Sequence, residues 1–97
     1  MKIMISQPMR DKTNEQIREE RAELVEKLKY QGHEVVDTVF EGEMPIECDI
    51  GIYLLAKSIE AMSKADAVVF MKGWQEARGC RIEYQIAKDY GKFVKEV

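Results

Sequence analysis

Apolar positions follow two rhythms along this chain: short unbroken runs, and stretches spaced by three and four residues. The run KIMIS (Lys2–Ser6) predicts a short buried strand, and QPMRDK after it predicts a loop broken by Pro8. Thr13 opens a helix, and Gln16 three residues later completes a capping box. Ile17, Leu24, Val25 and Leu28 keep helical spacing, and Gly32 is a stop signal. HEVVDT (His33–Thr38) predicts a second strand. VFEGEMPIECDIG (Val39–Gly51) shows neither rhythm and is rich in acids, with two glycines and Pro45, so it predicts a long surface loop or lid. IYLLAKSIEAMSKA (Ile52–Ala65) predicts a second helix with Ile52, Leu55, Ala56, Ile59 and Met62 on one face. ADAVVFM (Ala65–Met71) is continuous and β-branched, as a central parallel strand should be. KGWQEARG turns into a third helix, Gly79–Gly91, and KFVKEV (Lys92–Val97) predicts a last strand.

The resulting order β-α-β-α-β-α-β implies an α/β protein: a small flavodoxin-like or Rossmann-like three-layer sandwich. Its four-stranded sheet should be mostly parallel, with right-handed crossovers and helices on both faces. Residues 1–97 form a single domain without internal repeat or linker. Ligands in open α/β sheets bind outside the carboxyl ends of the strands. SQPMR, the stretch from Asp37 to Gly51, and KGWQEARG should meet there.

Composition narrows the function. The 97 residues are 45% hydrophobic and 34% charged with a net charge of −3, which describes a soluble globular protein. That balance argues against nucleic acid polymers and anionic membranes as partners. A small anionic ligand held by one or two arginines remains compatible with it. Cys48 and Cys80 do not make a disulfide framework, and no Cys–His metal spacing surrounds the single His33. Reduced thiols in a cytoplasmic protein, with no metal and no cofactor, are the expectation. MKIMIS is too short for a signal peptide or membrane span.

One position breaks the pattern. Gly79, Ile82, Ile86, Ala87 and Tyr90 share one face of the third helix, and Glu83 sits in the middle of it. Either the helix rolls and the carboxylate reaches water beside Arg10 or Arg78, or it is held in a cleft at the sheet edge. Burial without partners would be costly, while the nearby helix N-terminus favours the ionised form. An ionised carboxylate in a dry cleft can act as a nucleophile toward a glycosidic carbon. Asp66 is either the solvated end of a helix–strand connection or helps bind or protonate a leaving group, but it stands at the beginning of its strand. Asp37, at the end of the second strand, is better placed. Ser6, Gln7 and Arg10 form a loop that can hold an anion. Trp74 is a lid packed on its own scaffold or a platform for a nucleobase. Cys80 reads as a buried thiol, and His33 as structural.

The segments MISQPMR, ADAVVFMKGW and ARGCRIEYQIAKDYGK, in that order, resemble the nucleoside 2-deoxyribosyltransferase superfamily, and more narrowly a compact bacterial and phage branch of it. SQPMR occupies the place of the loop after the first strand, Asp66 that of the aspartate preceding a strand, and Gly79, Glu83, Ala87 and Gly91 match the run on the last helix. The resemblance implies that Glu83 is the nucleophile that takes the deoxyribosyl group, which related hydrolases hand to water. Gln7 replaces a common glycine, Cys80 a threonine and Gln85 a small residue, and Ala77 and Arg78 stand where an aspartate is usual. The expectation is an N-glycosidic enzyme acting on a deoxynucleoside or its 5′-monophosphate. Glu83 would attack, Asp66 or Asp37 would assist the leaving base, and Ser6, Gln7, Arg10, Trp74, Arg78 and Gly79 would bind substrate. A homodimer with Tyr53, Leu54 and Tyr84 at its interface is expected. The alternatives are a nucleotide-binding or sensing module without turnover, and an accessory interaction protein.

Overall fold

The structure, a computed structural model, describes every residue from Met1 to Val97. Strands β1 (Lys2–Ser6), β2 (Glu34–Val36), β3 (Ala67–Phe70) and β4 (Phe93–Glu96) alternate with helices α1 (Asn14–Tyr30), α2 (Ile50–Ser63) and α3 (Arg78–Asp89). All strand pairs are parallel, in the order β2-β1-β3-β4, so the expected α/β sandwich is the fold observed. No helix is long and apolar enough to cross a membrane.

Side chains alternate across the sheet and build a core on each face. Met4, Val68 and Phe70 pack with Met62 of α2 and Ala87 of α3. Ile3, Ile5, Ala67 and Val69 pack on the other face with Leu28 of α1. Every residue of β3 is therefore buried, which is why its sequence shows no polar alternation.

Helix ends are specified locally. Thr13 and Gln16 form the expected capping box: the Gln16 N–H donates to Thr13 Oγ1 (3.1 Å) and the Thr13 N–H to Gln16 Oε1 (2.8 Å). At the other end of α1, Gly32 takes φ +90°, and the N–H groups of Gly32 and His33 donate to Lys29 and Leu28. Gly91 repeats this closure after α3, where Gly91 and Lys92 donate to Lys88 and Ala87. Both are left-handed helix stops that feed the chain directly into the next strand.

Some boundaries differ from the sequence expectation. The irregular loop ends at Asp49, which caps α2 by accepting from the Ile52 N–H (3.1 Å). Gly51 lies inside α2 and does not break it. The predicted apolar face of α2 is only partly covered: Met62 is its one buried residue, and Ile52 is 66% exposed. The turn before α3 contains a short 3-10 helix, Trp74–Glu76.

Phe70 joins these parts. Its ring lies 5.3 Å from both Trp74 and Tyr84, and those two rings stack at 4.4 Å. Phe70→Ala should therefore cost about 3–5 kcal/mol, through lost burial and a cavity beneath both aromatics. Urea unfolding followed by Trp74 fluorescence checks this, and a cost below about 1 kcal/mol would mean that the aromatic layer does not depend on Phe70.

Candidate functional site

The chain leaves β1 toward β2 and leaves β3 toward β4, in opposite directions from two neighbouring strands. This is the switch point at which open parallel sheets leave a crevice at their carboxyl edge. Ser6 ends β1 there, and the early turns of α3 stand over the same edge.

Glu83 is placed at this edge and is 8% exposed. Ser6 Oγ donates to Glu83 Oε1 across 3.4 Å, long for a hydroxyl–carboxylate bond. The carboxylate lies back over Gly79, where an added Cβ would stand 4.0 Å from Oε1. Burial pushes the Glu83 carboxyl up to about 7, against the opposing pull of the Ser6 hydroxyl and the Arg21 charge. The helix N-terminus is expected to favour the ionised form; desolvation nevertheless outweighs the Ser6 and Arg21 contributions. Burial likewise raises the Cys80 thiol, so it stays protonated and structural.

Arg21 is the residue that sequence reasoning missed. It is 4% exposed on α1, with its guanidinium tied to two strand ends. Nε donates to Gln7 Oε1 (2.6 Å) and Nη1 to Thr38 Oγ1 (3.1 Å), while Nη2 is buried without a partner. Thr38 passes the connection on by donating to the Ile5 carbonyl (3.3 Å). Burial lowers the Arg21 pKa, and the charges of Asp37 and Glu83 oppose that shift. The signal was present in the sequence: Arg21 falls between Ile17 and Leu28 on the apolar face of α1, as Glu83 does on α3.

The other predicted residues divide. Gln7 is buried but fully engaged, donating from Nε2 to the Ile17 carbonyl and to Glu20 (both 3.2 Å) while accepting from Arg21. These bonds hold α1 against β1. Asp66 is corrected. It accepts from the Lys2 N–H (2.8 Å) at the amino edge of the sheet, the length of β3 away from Glu83. Trp74 packs on Phe70 and Tyr84 and donates from Nε1 to Glu96 (3.0 Å), as a lid on its own scaffold. Arg10 and Arg78 are exposed, and neither pairs with Glu83, which removes the surface ion-pair reading of that residue. Asp37 does lie at the carboxyl edge, paired with Arg18 (3.4 Å) and accepting from the Val39 N–H (2.9 Å).

Beside this edge, α1, α2 and the loop between β2 and α2 enclose a recess of about 360 Å³. Arg18, Asp37, Phe40, Tyr53 and Lys57 are among its walls, and the Lys57 ammonium lies over the rings of Phe40 and Tyr53. No group of three or more His, Cys, Asp or Glu side chains gathers that could hold a metal ion. The edge therefore offers a buried carboxylate, a buried guanidinium, a hydroxyl, and an adjoining recess with aromatic walls.

A family model described as "Domain of unknown function (DUF4406)" matches residues 1–96, so the chain belongs to that family. No curated protein and no solved structure matches it.

The Glu83 environment makes stability depend on pH. Its folded pKa of about 7 lies above the ordinary 4.5, so the folded state binds its proton more tightly. The resulting stabilisation is complete below pH 4.5 and is lost as pH rises through about 7. The shift corresponds to about 3 kcal/mol across that window. Glu83→Gln should remove this component, so the variant gains on the parent between pH 5 and pH 8. Urea titrations of both proteins measure the difference; parallel pH profiles would show that Glu83 is solvated.

Proposed function

We propose that this DUF4406 member cleaves the N-glycosidic bond of a deoxynucleoside or its 5′-monophosphate. One observation carries the reading: a carboxylate is buried at the sheet's switch point, on a helix whose apolar stripe it interrupts. The sequence resemblance to deoxyribosyltransferases supports it by matching that same residue to the nucleophile.

In this mechanism an ionised Glu83 oxygen bonds to C1′ as the C1′–N bond breaks. The bond's electron pair leaves with the base nitrogen, which takes a proton from solvent; Asp37, the aspartate on this edge, is already paired with Arg18 (3.4 Å). Water then attacks C1′, returns the carboxylate to its free form and gives up a proton. An acceptor base in place of water would make the same intermediate serve transfer. Ser6 orients Glu83, and its bond must yield or shorten as the carboxylate changes charge.

A binding or sensing module without turnover is the second reading. It is favoured by the distance of Asp66 from Glu83 and by the engagement of Gln7 in structure, which leave the nucleophile with fewer helpers.

Free base measured by chromatography after incubation with deoxynucleosides and their monophosphates decides between them. The rate should rise tenfold per pH unit below about 7 and level off above it, because the ionised form attacks. Glu83→Gln should lower it by several orders of magnitude, with ligand affinity little changed. No base from any substrate would leave the binding module as the surviving reading.

Self-association belongs to the same proposal. Ile52 and Ala56 of α2 are exposed and Leu55 and Ile59 are half-buried on the same face, leaving an apolar strip. Tyr84 is already stacked on Trp74, so α2 is the better surface for a second copy. Light scattering should give a dimer mass that Ile52→Glu reduces to that of a monomer; a parent that is monomeric at high concentration removes the dimer from the proposal.

A further inference from the structure

Lys57 places its ammonium 5.7 Å from the centre of the Phe40 ring and 5.4 Å from that of Tyr53. Both rings and the lysine line the recess of about 360 Å³. The face of an aromatic ring attracts a cation, most strongly where water is displaced. No carboxylate pairs with Lys57: the chain's ion pairs are Lys2–Glu34, Lys12–Glu20, Arg18–Asp37 and Arg18–Glu41. Its ammonium therefore rests on two aromatic faces and not on an acid, although three acids line the same recess. The chain thus shows with its own side chain which kind of group these walls accept.

The rest of the lining decides the sign of charge that fits. Asp37, Glu41 and Glu43 are acidic, and Arg18, the one base besides Lys57, is shared between Asp37 and Glu41. The lining is thus net negative with Lys57 in place and more so once its head swings out. An anion entering here meets more acid than base. A cation gains from the rings and from the carboxylates together. Val39 and Met44 add apolar wall, which suits an ammonium carrying alkyl groups. Lys57 is exposed on α2, and its flexible stem lets the head leave the rings without moving the helix. We propose that this recess binds a small organic cation of the alkylammonium class, and that Lys57 is its internal competitor. Glu83 does not line the recess, so the proposal goes beyond the glycosidic reading and does not depend on it.

The test compares choline with 3,3-dimethylbutan-1-ol, which has the same shape and no charge. Each is titrated into the full chain and its methyl proton signal is followed by NMR. The parent should bind choline more tightly than the alcohol by roughly 2- to 30-fold, the range for a cation on aromatic faces. The choline methyl signal should move upfield, as protons above a ring do. Lys57→Gln keeps an exposed polar side chain but removes the competing charge, and should tighten choline binding by roughly 2- to 10-fold, because a tethered group competes at a high effective concentration. Tyr53→Leu should erase the preference for choline over the alcohol. Equal binding of the two probes by the parent overturns the proposal, since the recess would then be apolar and no more. Choline binding that is unchanged or weaker in Lys57→Gln also overturns it, because the lysine would then be no competitor. Absence of choline binding in both the parent and Lys57→Gln overturns it as well, and these two proteins decide the matter even where Tyr53→Leu fails to fold. Base release from deoxynucleosides is measured separately and bears on the glycosidic reading alone.

Discussion

The guanidinium of Arg21, buried where α1 meets the ends of β1 and β2, is the constraint on which the carboxyl edge depends. A charge in that position must be held by acceptors, and the acceptors it uses are Gln7 and Thr38, one from each strand end. Gln7 is in turn locked to α1 and to Glu20, whose own position is set by Lys12 (2.9 Å). The loop after β1 therefore has its path dictated by a polar network, although it lacks the glycines that usually shape such loops. Truncating Gln7 or Thr38 would strand a buried arm of Arg21 in low dielectric, where an unsatisfied group costs far more than the bond it replaces.

The elements were legible in the sequence because each carries its own local signal. Thr13 and Gln16 announce the start of α1, Gly32 and Gly91 close α1 and α3, and AVVF can only be a strand covered on both faces. The start of α2 was misplaced because Gly51 looked like a breaker, whereas Asp49 had already supplied the cap two residues earlier. Ile52 was placed inside because helical periodicity reports a face and not what covers it. At the site, Glu83 was found by its conflict with an apolar stripe. Arg21 shows the same conflict, but its stripe is less regular and arginine's long stem is commonly solvated, so the signal drew less notice. The position of Asp66 was legible from topology alone, since a residue that begins a strand cannot reach the opposite edge.

Burial and reactivity oppose one another at Glu83. The dry surroundings that would strengthen a nucleophile's electrostatics also hold its proton near neutrality. Arg21 and Ser6 work against that shift without cancelling it. A ligand that expelled water and satisfied both charges would move the balance toward ionisation, so binding and activation would be one event. The partly covered α2 and the loop leading into it are the segments best able to move and admit such a ligand, because few buried apolar contacts restrain them.

The strand order has a consequence for how the chain is made. β1 is synthesised first and is central in the finished sheet, but its second neighbour is β3, with Ile3 opposite Ala67 and Ser6 opposite Phe70. Until that segment has left the ribosome, β1 has only the three-residue β2 beside it and one unpaired edge. The first half of the chain can form α1 early, because its caps are local, yet it cannot close either face of a core. Assembly must then wait for most of the polypeptide and proceed through a long-range parallel pairing, the slowest class of contact to establish. During that interval the exposed edge of β1 is an open template for other nascent chains, and a chaperone shielding that short apolar run would act at the stage when the protein is most vulnerable.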